Sequence, residues 1–190
     1  MIYSLKELKY FIKSDLYRYL SNNSFRSFCR AWFIPGFRFT FFFRIGQWAL
    51  NKNHFIYVVN RLILRHYQLL YGIVIDPSTQ IGRGLYIGHW GGIVVNPNSV
   101  IGENCNLSPG VLLGQNWSQE KGKFGYPRIG SQVFLGNGCK IIGDVVVGDN
   151  VLVGVGAVVV DNVPDNSIVV GVPAKIVSQN GSSCWVGSIC

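Results

Sequence analysis

One histidine stands where chemistry is expected. His89 lies in the run Gly88-His89-Trp90-Gly91-Gly92, while the two other histidines, His54 and His66, fall in the first 72 residues. An imidazole titrates near neutrality, so it can accept a proton from an attacking hydroxyl. A second break comes at residues 115–128, a polar excursion that contains Trp117, Tyr126 and Arg128. Interruptions in a regular scaffold are where functional loops are usually placed, so a histidine at one break and a loop at the other form a site hypothesis. The competing reading is a structural histidine satisfied by backbone. No metal is expected. The five cysteines are scattered and odd in number, and a zinc site of three histidines needs more than His89 in this part of the chain.

The frame that must hold these residues is a repeat of six. An aliphatic residue recurs at Ile75, Ile81 and Ile87, at Ile101, Leu107 and Leu113, and from Ile129 through Leu135, Ile141, Val147 and Val153 to Val159. Two places earlier the side chain is usually small or branched, as at Ser99, Cys105, Val111, Cys139 and Ala157. A helix needs apolar spacing near 3.6 and an ordinary strand alternates with period two. Period six fits a solenoid whose strand-and-turn units stack, because one unit alone buries too little. A β-sandwich with Gly-rich turns is the alternative, but its strands would not hold one register through so many repeats. The register breaks twice: eight positions separate Ile87 from Val95, and residues 115–128 are too long and too charged to be one side of a coil.

Charge and aromatic content divide the chain. Of 17 Lys and Arg, 11 lie in residues 1–72 beside only Glu7 and Asp15, a net of +9; the rest nets −1. That segment also holds 19 of the 26 aromatics. Ser4 and Glu7 form a capping-box pattern, predicting a helix from Leu5 to about Leu20. A second helix is expected over Phe25–Phe33, before Pro35, and a last one from His54 to Tyr71. The stretch Phe37-Arg38-Phe39-Thr40-Phe41-Phe42-Phe43-Arg44, with Ile45 to Leu50 after it, receives no element. The segment reads as a cap on the first coil, and its excess of cations suggests contact with an anionic membrane face. No nucleic-acid module is visible. Charged residues break any apolar run near the start, so no signal peptide is expected, and no run reaches the ~20 residues of a spanning helix. Unpaired thiols, with Cys105 and Cys139 on inward positions, suggest a reducing, cytoplasmic setting. Three regions are expected: a helical cap over 1–72, a solenoid over 73–177 and a Ser/Gly-rich tail over 178–190, partly disordered.

Ile81-Gly-Arg-Gly-Leu-Tyr-Ile-Gly-His89, Gly92-Ile-Val-Val-Asn-Pro, Val153-Gly-Val-Gly-Ala-Val-Val and Gly171-Val-Pro-Ala-Lys-Ile176 together resemble the hexapeptide-repeat acyltransferases, in their serine acetyltransferase-like branch. The helical N-terminus looks like that of capsular and exopolysaccharide members. The resemblance implies a mainly β chain wound as a left-handed parallel β-helix, assembled as a homotrimer with sites between subunits. That handedness opposes the usual rule for parallel crossovers, so it comes from the resemblance alone.

The resemblance further implies acetyl transfer from acetyl-CoA to a hydroxyl, with His89 as the catalytic base. Asn137 with Gly138 and Val155 with Gly156 lie 18 residues apart, one three-sided turn, and are expected to stack as the wall that takes the pantetheine arm; Lys175 matches a residue placed near the CoA phosphates. Departures from the family pattern are Gly88 and Val74, where aspartates are found, and Gly125 and Tyr126, where an arginine–histidine pair handles the amino-acid substrate. Asp76 or a backbone carbonyl would then orient the imidazole. These losses point to a sugar hydroxyl of a surface polysaccharide or a lipid-linked glycan as acceptor, with Trp90, Trp117 and Tyr126 stacking on the ring and Arg128 beside them. Serine itself is the alternative acceptor, and a trimeric scaffold without catalysis is the third reading.

Overall fold

The computed structural model describes residues 2–119 and 122–190; Glu120 and Lys121 of the polar excursion lie outside the described residues. Helix α1 (Leu5–Leu20) begins at the expected capping box, with the Ser4 hydroxyl accepting from the Glu7 N–H and the Glu7 carboxylate accepting from the Ser4 N–H. It is followed by α2 (Phe25–Ala31), α3 (Pro35–Ala49) and α4 (His54–Tyr71). The α4 bounds agree with the sequence, and α2 stops two residues short of Phe33. Helix α3 is the element that the sequence did not give. Its apolar residues run almost continuously, which hides their period, yet Gly36, Phe37, Thr40, Phe43, Arg44 and Gln47 recur at helical spacing and are buried. Proline at its start suits the first turn, where a missing N–H costs nothing.

From Ile73 onward, short parallel strands stack into three sheets. One sheet runs through Ile73–Ile75, Ile93–Val95, Leu112–Gly114, Lys140–Ile142 and Val158–Val159; the second through Asn106–Leu107, Phe134–Leu135, Leu152–Val153 and Ile168–Val170; the third through Gln80–Ile81, Val100–Ile101, Arg128–Ile129 and Val146–Val147. The six-residue positions are the core: Ile75, Ile81, Ile87, Ile101, Leu107, Leu113, Ile129, Leu135, Ile141, Val147, Val153 and Val159 are all buried. Register records the breaks. Ile73 pairs with Ile93, a step of 20, whereas Lys140 pairs with Val158, a step of 18. Between Leu112 and Lys140 the step is 28, and the additional residues include a hairpin of Asn116–Ser118 with Lys123–Gly125.

The cap closes on the first coil through a buried side chain. Arg44, fully buried on α3, pairs with Asp15 of α1 at 2.8 Å and donates to the carbonyls of Ile81 and Gly82 at 2.8 and 2.6 Å. The expectation of a loose tail needs correction. The boundary at 177 falls inside the strand Lys175–Ser178, which runs antiparallel to Ile168–Val170, and α5 (Ser183–Val186) packs back on the solenoid. Among the described residues, no helix is long and apolar enough to cross a membrane.

Candidate active site

His89 sits at the rim of a cleft of about 270 Å³, with Tyr86, Ser108, Phe134, Asn137 and Trp185 among its walls. The loop that carries it exists because the first turn has two extra residues, and Gly91 and Gly92 absorb them with φ of 118° and 66°, values that side-chain-bearing residues rarely adopt. The imidazole is exposed and has no hydrogen-bond or ion-pair partner among the described residues, so both ring nitrogens are open to a ligand.

The backbone leading to His89 is held from the cap. Asp15, Arg18 and Tyr19 share one face of α1 and reach successive groups of one segment. Asp15 accepts the Leu85 N–H at 2.9 Å, Arg18 donates to the Gly84 carbonyl at 2.8 Å, and the Tyr19 hydroxyl accepts the Ile87 N–H at 2.9 Å and donates to the Ile87 carbonyl at 3.3 Å. Burial pushes the Tyr19 phenol well above its ordinary value, so it stays protonated and able to donate. Gly36 at the head of α3 lies against the same carbonyl, and a Cβ there would overlap it.

Gly88 has a packing reason. A Cβ at this position would lie 2.9–3.2 Å from the Tyr86 ring, and that ring is wedged against Tyr19 at 4.7 Å with the Arg18 guanidinium 5.8 Å from its centre. Gly125 is similar: a Cβ there would meet the Asp144 backbone nitrogen at 2.5 Å. Of the two groups expected to orient His89, Asp76 or a backbone carbonyl, Asp76 is engaged elsewhere. Its carboxylate is taken by Arg61 at 2.8 Å and by the Ser78 N–H and hydroxyl at 2.9 and 2.7 Å.

The four residues expected at the acceptor do not gather around His89 within one chain. Arg128 belongs to a different sheet from the one beside the histidine, and the hairpin leaves the solenoid there. Tyr126 and Arg128, with Lys123, Phe124, Asn98 and Asp144, line a separate polar cleft of about 240 Å³. Trp117 packs edge-on against Phe124 at 5.0 Å, and Trp90 turns to Tyr71 at 6.0 Å. The donor-side expectation fares differently. Asn137 lines the His89 cleft, and its carbonyl accepts the Gly156 N–H at 2.8 Å, the vertical stacking expected from an 18-residue step. Val155 is 78% exposed, and a Cβ on Gly138 or Gly156 would meet nothing within 4 Å. Asn137 thus joins the His89 cleft to an open ledge formed with Gly138, Val155 and Gly156. Lys175 is exposed on the antiparallel strand at the end of the Phe134 sheet and does not line the cleft.

The wall residue that the sequence did not reveal is Trp185. It packs on Phe134 with ring centres 6.0 Å apart, while its carbonyl accepts from the Asn106 side chain at 3.4 Å and the neighbouring Val186 carbonyl from Arg18 at 2.5 Å. No local pattern marks a tail that returns some 50 residues later to an earlier coil. Among the described residues there is no cluster of three His, Cys, Asp or Glu that could hold a metal ion.

Comparison with known proteins gives one consistent result. The model of bacterial transferase hexapeptides (six repeats) matches residues 126–161. The chain is 36% identical over 146 residues to the serine acetyltransferase of Helicobacter pylori strain J99, covering 77% of this chain and 83% of that protein. It is 31% identical to the serine acetyltransferase of Synechococcus elongatus over 147 residues, 77% of this chain and 59% of the relative. Staphylococcus xylosus serine acetyltransferase is 41% identical over 125 residues, 66% of this chain and 57% of the relative. The chain thus spans less than two thirds of the length of these last two relatives. Among solved structures, Neisseria gonorrhoeae serine acetyltransferase superposes with a TM-score of 0.79 at 26% identity, over 93% of this chain and 68% of that one. The Brucella abortus serine acetyltransferase in complex with coenzyme A gives 0.78 at 25% identity, over 93% and 70%. These names correct the expectation of a polysaccharide sugar as acceptor. The glycines taken as signs of an uncharged acceptor are accounted for by packing, Gly88 against Tyr86 and Gly125 against Asp144.

Proposed function

Since this chain belongs to the serine acetyltransferase family of hexapeptide-repeat transferases, we propose that it moves an acetyl group from acetyl-CoA to the hydroxyl of serine, with His89 as general base. The observation that carries the reading is an unpartnered imidazole beside the open ledge at Asn137, Gly138, Val155 and Gly156. The ledge would take the pantetheine arm, with Lys175 nearer the phosphates. The imidazole takes the proton of the serine hydroxyl as its oxygen bonds to the thioester carbonyl carbon. The tetrahedral intermediate collapses with cleavage of the C–S bond, and the imidazolium returns the proton to the departing CoA sulfur.

Assembly is part of the same reading. The chain would form a homotrimer of left-handed coils, in which a neighbouring copy brings the hairpin cleft to His89. Lys123 and Arg128, which outnumber Asp144 in that cleft, then face the carboxylate of serine, with Tyr126 and Phe124 in its wall, Trp117 packed on Phe124 and Trp90 on the histidine side. A thiol-release assay with acetyl-CoA and L-serine tests the whole. Turnover is expected, and His89→Ala should lower it by ~10²–10⁴-fold while CoA still binds. A protein that binds CoA but leaves L-serine unacetylated would refute the reading, and so would an unimpaired alanine variant.

A further inference from the structure

The helical cap carries a surface that acyl transfer does not use. Two apolar clefts adjoin on it and share Phe25 and Phe28. The larger, about 400 Å³, is walled by Phe28, Cys29, Trp32 and Phe41. The smaller, about 210 Å³, has Ile12 and Leu16 at its floor and Lys9 and Lys13 at its rim. Phe25, at the start of α2, and Phe33, two residues past its end, are each 81% exposed. Edge-to-face packing fixes the wall behind them, with Phe28 and Trp32 lying 5.8 and 5.3 Å from Phe41.

The charge around this surface is of one sign. Lys9, Lys13, Arg26 and Arg30 are exposed, and none has an ion pair among the described residues. No Asp or Glu occurs between Asp15, itself buried against Arg44, and Asp76. An apolar patch of large aromatics is costly to leave in water. A second copy of the same patch would cover it only by bringing four unpaired cations against four more. A surface that is negatively charged at its face and apolar just beneath satisfies both features at once, because the phenyl rings enter the acyl boundary while the cations remain among anionic headgroups.

We propose that this face of α1, α2 and α3 docks on an anionic lipid bilayer, with Phe25 and Phe33 inserted and Lys9, Lys13, Arg26 and Arg30 at the headgroups. The contact is independent of the proposed reaction. Co-sedimentation of the full chain with phosphatidylglycerol vesicles at low ionic strength should show binding, and about 1 M salt, where the Debye length is about 3 Å, should abolish it. Arg26→Gln with Arg30→Gln should weaken partitioning about thirtyfold, from the contribution of each cation near an anionic surface. Phe25→Ser with Phe33→Ser should weaken it at least about tenfold, from lost apolar insertion. All four positions are exposed, so circular dichroism should confirm an unchanged fold. Absence of binding at low salt, equal binding to pure phosphatidylcholine, or binding indifferent to both double variants would overturn the proposal. So would a change in oligomeric mass caused by the Phe25→Ser/Phe33→Ser pair, which would make the patch a protein interface.

Discussion

Two cysteines show how position fixes chemistry at the scale of a residue. Cys105 and Cys139 occupy the small inward place of their hexads, and both are fully buried. Burial in apolar surroundings disfavours a thiolate, which pushes both thiols from 9.0 up to about 12. A folded value above the unfolded one means that the buried neutral thiol supports the fold fully below pH 9 and that this support is lost as the pH rises toward 12. Cys29 and Cys184 are exposed. Alkylation of the native protein at neutral pH should therefore label Cys29 and Cys184 and spare Cys105 and Cys139 until denaturant is added, as peptide mass mapping would show. Labelling of Cys139 in the native state would mean that the inward register is wrong. The same register made these thiols readable from sequence. Gly88 reads from sequence as a lost carboxylate, because the ring that occupies its space belongs to a residue two positions earlier and turns back through tertiary packing.

At the scale of the element, α1 acts as a ruler laid along the segment that ends at His89. Asp15, Arg18 and Tyr19 fall on one helical face, and their targets, Leu85, Gly84 and Ile87, are neighbouring backbone groups of one extended run. Tyr19→Phe removes the hydroxyl and leaves the Ile87 N–H and carbonyl without their partner. The cost should be about 1–3 kcal/mol of stability, visible as a lower melting temperature. The His89 loop should also lose its fixed approach to the acyl donor, so kcat should fall while the KM for acetyl-CoA stays near that of the parent. A drop in stability with kcat unchanged would reduce Tyr19 to a purely structural contact. Arg44→Ala tests the other clamp. It strands Asp15 as a buried, unpaired charge and orphans the carbonyls of Ile81 and Gly82, so a loss of about 3–5 kcal/mol is expected in denaturant unfolding. Neither clamp was legible in the sequence. An Arg at the end of a phenylalanine run reads as a surface cation, and only α3, the helix with no visible period, turns Arg44 inward.

At the scale of the whole molecule, the solenoid was legible and the closure of its cleft was not. Twelve aliphatic positions return to the same inward site across two breaks because each coil repeats it, so the sequence records the architecture many times over. The cleft is built from segments that meet once. It takes Tyr86 and His89 from the first coil, Phe134 and Asn137 from a later one, and Trp185 from a tail that the sequence suggested was partly disordered. The tail is held where it is by unlike contacts. Arg18 of the cap donates to the Val186 carbonyl, the Asn104 side-chain amide donates to the Cys190 carbonyl at 3.1 Å, and the Ser182 hydroxyl donates to the Gln132 carbonyl. Cap, coil and tail thus converge on one wall, and Trp185 is its apolar part. Trp185→Ala removes an aromatic face that is packed on Phe134 but is still 61% exposed, so stability should change little. What should change is the donor side, because apolar surface that the donor covers on the indole is worth about 25 cal/mol per Å², so roughly 55 Å² amounts to a factor of ten. The KM for acetyl-CoA should rise roughly tenfold with kcat nearly unchanged, the signature of lost uniform binding. A KM that falls on the same substitution would mean that the indole obstructs the ledge instead of bordering it.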